Sequence, residues 1–537
     1  MFCDDILDFM GDRNGDESIQ GGLDMKPSQR ADTTCALVVD ILPPFDFKNP
    51  WPPTRVRENE EEDGNILNDM MKRFRRRVKA KGSGVPSQNC RASQYRRIQR
   101  GPDAIIDGRQ TSVAVNPIPP PLEIRFHPAF AAFRRLCQDC SLSAPDNFVR
   151  ITARLMRAGS RIFPDAWELE DGVCPLLSAL LGFPLQRPSN KTVKRTTPGY
   201  FISSAVPSPF SGTAAMATIE SDVEPGTGAL RSTFAYIAHW CDIDQKTVLN
   251  SCFAPSFVIG VDGPRISISG AMITGKPVVQ RMKDIWLSQD NYLDGAVLLE
   301  NARVLYALKL ALERLHAFYT HLPLPTTAVS RFFPLAARYR APDGHTVPFT
   351  YVDVLKGPGE GSTVFLARLD GPEPRHVVVK FVERYGARAH ELLAEAGLAP
   401  ALLYHGDVWP GEDELRYHGH EMVVMEHVEG VPAFAPEQQS AAAPEVERAL
   451  KILQGSGMVH GDLRPPNILL LRGWGQGVEG RVRIIDFDWA GREGEVRYPC
   501  WLSKEVFPVD GIDDYAPITC AHDKGMLSLL YSGDQCP

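Results

Sequence analysis

The chain has 537 residues, of which 43% are apolar and 23% charged, and its formal net charge is −8. At about 150 residues per domain, this length predicts two or three folded units. The acidic balance argues against general coating of nucleic acid. The sequence has no run of roughly 18 apolar residues, so no membrane span is predicted. The acidic start does not resemble a secretory signal, so we expect an intracellular protein, cytoplasmic or nuclear.

Residues 1–120 are predicted to be a mostly disordered tail, because their apolar residues are too scattered to offset the entropy of ordering. An acidic run covers 58–64 and a basic run, "MKRFRRRVKAKG", covers 71–82. We expect nucleic-acid contact or nuclear import only through this basic run, with a solvated patch as the equal alternative. The segment "GNILNDMMKRFRRRVK" is compatible with an amphipathic helix that forms on binding a partner.

Residues 121–335 are predicted to form an α/β domain. Apolar residues recur at helical spacing in "HPAFAAFRRLCQDC" and in the long segment "LLENARVLYALKLALERLHAFYTHL". "SFVIGVDGPRISISGAMIT" alternates around a turn and predicts a hairpin, and "LPLPTTAVSRFFPL" is interpreted as a linker. Cys137 and Cys140 form a CxxC pair without a second pair or nearby histidine, so thiols are expected rather than a zinc site.

Residues 345–537 begin with a glycine-rich turn between two strands, "DVLKGPGEGSTVFLARL". Glycine turns are common, so this signal is weak alone. Val364 is predicted to begin the return strand and to cover an adenine ring. In a Gly-x-Gly-x-x-Gly turn the third glycine would fall at Ser362, and Gly361 comes one residue early, so the exact geometry of the loop is not predicted. Three glycines are expected to bring the backbone close to phosphates: Gly357, Gly359 and Gly361.

Lys380 lies within the apolar strand "HVVVKFV", where burial is costly without an anionic partner. We expect it to contact the α- and β-phosphates of a nucleotide, and the alternative is an edge-strand lysine that reaches solvent. The helix "ARAHELLAEAGL" is expected to supply the acid that orients it, with Glu391 favoured over Glu395. The bend that begins at Glu426 is predicted to offer backbone groups to adenine.

The loop "VHGDLRPPNILL", residues 459–470, carries an acid and an amide five positions apart. Asp462 is predicted to orient an acceptor hydroxyl and take its proton, Arg464 to offset charge on the transferring phosphate, and Asn467 to bind magnesium. Asp486 ends the next apolar strand and is predicted to be the second metal ligand, because a carboxylate there needs a cation. Together these residues predict phosphoryl transfer from ATP with Mg²⁺.

The glycine turn, Lys380, "HGDLRPPN" and "DFD" resemble the protein-kinase-like superfamily. "IDFDWAG" and the His-Gly-Asp sequence look like its aminoglycoside and choline phosphotransferase branch, and "KFVERYGARAHELLAEAGLAPALLYHG" with "VVMEHVEGVP" looks like the fungal-type protein-kinase-like proteins. The resemblance implies an α+β, two-lobed kinase fold using ATP and Mg²⁺. In that fold Asp462 would be the catalytic base, and Lys380, Asn467 and Asp486 would bind ligand.

Two departures qualify this resemblance. Gly461 stands where protein kinases carry arginine, and no Ala-Pro-Glu sequence follows Asp486. The short remainder predicts a truncated C-lobe with one large helix, "ITCAHDKGMLSLL", whose Asp523 bonds back to the catalytic loop. Regulation by loop phosphorylation is not expected, because the basic pocket that would read it is missing.

The middle region resembles restriction-endonuclease-like domains much more weakly. Pro164 and Asp165 would begin that pattern and "ATIESDVEP" would continue it, but Asp222 occupies the position of the lysine. A degenerate nuclease-like domain is one interpretation, and a partner domain with Glu220 on its surface is the other. For the whole chain we predict an ATP- and Mg²⁺-dependent kinase acting on a hydroxyl of a protein or small molecule. The alternatives are a pseudokinase scaffold and a nucleic-acid effector.

Overall fold

The structure is a computed structural model. It describes residues 66–79, 86–101, 104–109, 127–187, 199–223, 226–288, 295–324, 332–355, 364–370, 374–410, 420–500, 502 and 507–532.

Three helices lie within the region predicted to be a mostly disordered tail: α1 (Ile66–Lys79), α2 (Pro86–Asn89) and α3 (Ala92–Gln99). The spacing of Met70, Phe74 and Arg77 puts them on one face of α1, and all three are buried. The Phe74 ring packs edge-to-face on Phe332 at 6.3 Å. This part of the tail prediction is wrong, because the apolar face of α1 joins a core; the acidic run lies outside the described residues.

The middle region folds around a five-stranded sheet of order β1-β2-β3-β4-β5. Only the β2–β3 pair is parallel, and the other pairs are antiparallel. The predicted hairpin is confirmed, with Asp262 opposite Arg265 at its turn. The strands are β1 (Gly199–Ser204), β2 (Ala214–Asp222), β3 (Ser256–Asp262), β4 (Arg265–Ile273) and β5 (Pro277–Trp286).

Helices cover this sheet. One of them, α7, connects the parallel strands β2 and β3, and it lies so close to β3 that a Cβ on Gly260 would approach the Ala229 nitrogen to 2.2 Å. The predicted long helix is confirmed as α9. The helices are α4 (Pro128–Gln138), α5 (Asp146–Gly159), α6 (Ala166–Leu181), α7 (Thr227–Trp240), α8 (Lys246–Leu249) and α9 (Gly295–Thr320).

An antiparallel six-stranded sheet of order β10-β11-β9-β8-β7-β6 follows. Phe332 and Phe333, predicted as linker, are buried in a core that continues from the middle region into this sheet; that part of the linker prediction is wrong. The elements are β6 (Arg338–Arg340), β7 (Thr346–Val354), β8 (Val364–Leu369), β9 (Arg375–Val382), α10 (Ala387–Glu395), β10 (Leu402–Gly406) and β11 (Glu421–Glu426).

The last unit has a second core that includes Leu450, Ile468, Phe487 and Met526. The candidate site lies on the loops between its short strands. None of the helices in the described ranges is long and apolar enough to cross a membrane. The elements are β12 (Gly430–Pro432), α11 (Pro436–Gly455), β13 (Met458–Val459), β14 (Ile468–Leu471), β15 (Val482–Ile484), β16 (Gly491–Arg492) and α12 (Cys520–Ser532).

The CxxC pair lies at and just beyond the end of α4. Cys137 is half-buried and Cys140 is exposed, and both are free thiols. Burial raises the pKa of the Cys137 thiol to about 12. Across the described part of the chain, no group of three or more His, Cys, Asp or Glu side chains is placed to hold a metal ion.

Candidate functional site

The loop that follows β13 is held by helix α12. The backbone N–H groups of His460 and Gly461 donate to the two carboxylate oxygens of Asp523, each at 2.8 Å. The predicted bond from Asp523 back to the loop is therefore confirmed. Asp523 is only 1% exposed, and burial raises its pKa to about 6, against the lowering effect of the two N–H donors.

The conformation of Gly461 disfavours arginine at that position. Its φ of +82° lies in the left-handed region, which favours glycine. A Cβ there would meet Ile518 Cδ1 at 3.0 Å and Trp489 Cβ at 3.3 Å. Both the backbone conformation and the close packing therefore select against a larger residue.

Asp462 is bonded on both of its carboxylate oxygens. Arg464 binds Oδ1 through Nε and Oδ2 through Nη2, the latter at 2.9 Å. The Asn467 side-chain Nδ2 donates to the Asp462 Oδ2 at 2.8 Å and to its backbone oxygen at 2.9 Å. Because Nδ2 faces Asp462, the Asn467 Oδ1 is the atom left for a cation. Arg464, predicted to face a phosphate, thus lies against Asp462 and over the Phe507 ring at 4.7 Å.

Lys380 lies on β9 opposite Val364, the first residue of β8. It is 7% exposed, and its Nζ binds the Asp486 carboxylate and, at 2.6 Å, Asp488 Oδ1. Burial by itself lowers the pKa of Lys380, but the two carboxylates more than offset this and hold it above its usual range. Burial has the opposite effect on an acid, and it raises the pKa of Asp488 to about 6.

Asp486 contacts Lys380 and lies next to the loop of residues 459–470. Ile485, just before it, donates its N–H to the Asn467 carbonyl at 2.9 Å, and β14 pairs with β15 alongside. Asp486 has a φ of +69°, an uncommon conformation for a residue other than glycine and one that concentrates at functional sites. The structure therefore brings Asp462, Asn467, Asp486 and Lys380 to one place.

The expected acid on α10 is not part of this site. Glu391 lies 3.3 Å from Arg388, with 46% of its side chain exposed, and Glu395 is also exposed, 3.9 Å from the same arginine. The prediction that either acid orients Lys380 is wrong, because α10 turns His390 inward instead. That histidine is fully buried and stacks on Phe487 at 4.5 Å.

The predicted nucleotide contacts are only partly described. Gly357, Gly359 and Gly361 lie outside the described residues. Glu426 is exposed at the end of β11, and its N–H donates to the Ala401 carbonyl at 2.9 Å. The adenine contact of the bend at Glu426 remains a prediction.

Asp488 is the residue that sequence reasoning missed. It lies two residues after Asp486, and Lys380 binds both carboxylates. Lys380 shares its positive charge between the two carboxylates, and the Arg384 guanidinium also acts on Asp488, whereas Asp462 is neutralised by Arg464. The sequence signal for this residue is the second acid of "DFD".

The acids of the middle region have structural partners. Asp165 caps α6 by accepting the Trp167 N–H at 2.8 Å. Asp222 pairs with Arg231 at 2.7 Å, and Glu220 is 1% exposed, so the interpretation that put Glu220 on the surface is wrong. The nuclease-like resemblance itself remains a prediction.

Comparison with known proteins gives distant relatives. No protein-family model matches the sequence. Serine/threonine-protein kinase CST20 of Candida albicans is 25% identical over 173 residues, 29% of this chain and 14% of that protein. Serine/threonine-protein kinase STE20 of Debaryomyces hansenii is 24% identical over 173 residues, 29% of this chain and 16% of its own length. The chain thus spans less than a fifth of the length of these curated relatives.

A solved kinase, PK-1 of the Cydia pomonella granulovirus, aligns with 34% of this chain and 67% of its own chain at 15% identity and a TM-score of 0.27. A TM-score this low does not establish a common fold. The partial similarity to serine/threonine kinases supports the protein-kinase-like superfamily, and the helices and sheets are compatible with an α+β fold of that kind. The fungal-type and aminoglycoside–choline branches remain predictions.

Proposed function

We propose that residues 345–537 form an ATP- and Mg²⁺-dependent phosphotransferase that transfers the γ-phosphate to a hydroxyl group. The observation that carries this proposal is the convergence of Lys380, Asp486, Asp462 and Asn467. Lys380 and Asp486 carry opposite charges and are paired, although more than 100 positions separate them in sequence. Phosphoryl transfer depends mainly on positioning and charge compensation, so few side chains are needed.

The donor set fits magnesium bound with a nucleotide. Protein Mg²⁺ sites commonly use one or two carboxylates and complete their coordination with water and substrate phosphates. The Asp486 carboxylate and the Asn467 Oδ1 would supply the protein ligands. Magnesium bound there would neutralise charge on the β- and γ-phosphates.

The chain's own residues then have separate tasks. Lys380 would contact the α- and β-phosphates, while Val364 and the bend at Glu426 would hold adenine. Asp462 would orient the acceptor hydroxyl and take its proton late in the transfer. Arg464 and Asn467 hold the Asp462 carboxylate in one orientation, which reduces the entropy lost on reaching the reactive geometry.

The acceptor is proposed as a hydroxyl of a protein or of a small molecule. The kinase relatives are named for serine and threonine, which favours side-chain hydroxyls. We also propose an intracellular location, with the nucleus included if the basic run of α1 serves in import.

A pseudokinase is the second candidate. The observation that favours it is the mutual neutralisation of the site, in which Arg464 binds both oxygens of Asp462 and Lys380 binds both nearby acids. Such a site would be stable without nucleotide and would serve as a scaffold.

Thermal melting with and without Mg·ATP tests nucleotide binding. Saturating Mg·ATP should stabilise the wild-type chain by a few kcal/mol at about 100 to 1,000 times the dissociation constant. Asp486→Asn should remove the magnesium-dependent part of this shift. An unchanged melting temperature of the wild type in Mg·ATP would argue against the phosphotransferase and would leave the scaffold.

A further inference from the structure

The Lys380 ammonium group has two acidic partners on one short segment. Its Nζ binds Asp486 and, at 2.6 Å, Asp488. Both acids are half-buried, whereas the lysine side chain is 9% exposed. Breaking a buried pair by removing one partner leaves an uncompensated charge, which is strongly unfavourable.

The proposed metal site creates a competition for one of these acids. Asp486 is the carboxylate that a magnesium ion would bind, and the ion would draw it away from Lys380. A lysine left without an acid would lose its fixed position beside the phosphates. Neither acid of α10 is available for this purpose, because both Glu391 and Glu395 turn toward Arg388.

The segment that carries Asp488 is held firmly. Phe487, between the two acids, is fully buried and packs on His390 at 4.5 Å and on His460 at 5.0 Å. Its carbonyl accepts the N–H of Gly386 at 2.9 Å. These contacts fix the backbone directly before Asp488, so its carboxylate is a preorganised partner for the lysine.

We propose that Asp488 is the positioning residue for Lys380 and frees Asp486 to bind magnesium. This inference rests on the proposed function of Mg·ATP binding. The acid that positions the lysine then lies on the loop after β15 and not on helix α10. A movement of α10 therefore does not reposition Lys380 through a salt bridge. Asp488 acts through Lys380 and does not itself contact the nucleotide or the metal.

Chemical labelling of the ligand-free protein tests the positioning. An amine-acylating reagent is applied at short times, and mass spectrometry measures the modified fraction of the Lys380 peptide. Asp488→Asn should increase labelling of Lys380 several-fold, because an ammonium group released from one acid is more mobile and reaches the reagent more often. Glu391→Gln is the matched control and should leave the labelling unchanged. Equal labelling in wild type and Asp488→Asn overturns the proposal.

A magnesium titration tests the competition for Asp486. Binding of a fluorescent N-methylanthraniloyl-ATP is followed as Mg²⁺ is added. In Asp488→Asn the half-saturating Mg²⁺ concentration should rise about tenfold, the change expected for loss of one charged hydrogen bond. Glu391→Gln should titrate like the wild type, and Asp488→Glu should have a half-saturating Mg²⁺ concentration close to that of the wild type.

Lys380→Met separates positioning from direct metal binding. If Asp488 acts through the lysine, adding Asp488→Asn to Lys380→Met changes the half-saturating Mg²⁺ concentration no further. A tenfold rise that persists in the double variant would make Asp488 a metal ligand and would overturn the proposal. If the wild type binds no nucleotide at any Mg²⁺ concentration, the proposed function fails instead, which is a different outcome.

Discussion

The carboxylate of Asp523 accepts the backbone N–H of Gly461 at 2.8 Å, although 62 positions separate the two residues in sequence. The same carboxylate accepts the neighbouring N–H of His460. Helix α12 therefore fixes the loop that presents Asp462. This one buried acid therefore connects helix α12 to the site.

Asp523→Ala should destabilise the protein and lower any transferase activity. The substitution leaves two buried N–H groups without an acceptor, at a cost of about 1–3 kcal/mol for each. Thermal melting and turnover are measured side by side, with Asp510→Ala, an exposed acid on the loop before α12, as the control. Equal melting temperatures for the two variants would show that the Asp523 bonds do not hold the loop.

Gly461→Ala should cost more stability than Gly457→Ala. Both glycines have positive φ, +82° and +67°, so both substitutions carry a backbone cost of about 1–2 kcal/mol. Only at Gly461 does the new Cβ also meet neighbouring atoms, with Ile518 at 3.0 Å, whereas the space around Gly457 is open. Denaturant melts of the two variants isolate the packing cost, and equal losses would contradict the crowding at Gly461.

Because His127 is buried, the free energy of unfolding should decrease at acidic pH. This fully buried residue caps α4 by accepting the Ala129 N–H at 3.1 Å, and burial, helped by the Arg314 charge, lowers its pKa from 6.5 to about 3. The unfolded chain then binds the proton more readily, so stability is present above pH 6.5 and is lost as pH falls toward 3. The slope is at most about 1.4 kcal/mol per pH unit.

His127→Asn keeps a capping oxygen but cannot titrate. Melts at neutral and mildly acidic pH should show a shallower loss of stability for this variant than for the wild type. His321→Asn, at an exposed histidine, is the control and should keep the wild-type slope. A slope identical in all three proteins would mean that His127 does not contribute to acid unfolding.

The middle region should not cleave nucleic acid. Asp222, which occupies the lysine position of the nuclease-like pattern, is paired with Arg231, and Glu220 is buried. The full chain is incubated with plasmid DNA and with RNA in Mg²⁺ or Mn²⁺. Cleavage that disappears in Glu220→Ala would refute this prediction and restore an active nuclease-like domain.

Local motifs predicted much of the candidate site. Asp462 and Asn467 lie on one short loop, so five residues of spacing were enough to place them together. For Lys380 and Asp486 the sequence predicted that each needs an opposite charge, a phosphate for the lysine and a metal ion for the acid. The structure pairs the two residues with each other instead.

Helical phase accounts for the main error in the site. The segment after β9 has acids at 391 and 395 and a histidine at 390, and sequence alone did not show which face turns inward. The structure buries His390 and exposes Glu391. In α1 the signal was present, since Met70 and Phe74 have helical spacing, but Phe332, the ring that packs on Phe74, lies more than 250 positions away. Composition of the tail could not reveal that contact.

Transfer of labelled γ-phosphate from ATP, compared between the wild type and Asp462→Asn, tests the central claim most directly. Generic protein and small-molecule hydroxyl acceptors are included, together with autophosphorylation. Loss of a general base typically reduces rates by about 10² to 10⁴-fold, so the variant should lose activity by that order while Mg·ATP still stabilises it. Wild-type protein that shows neither transfer nor ATP hydrolysis above the Asp462→Asn background would contradict the kinase account and leave the pseudokinase.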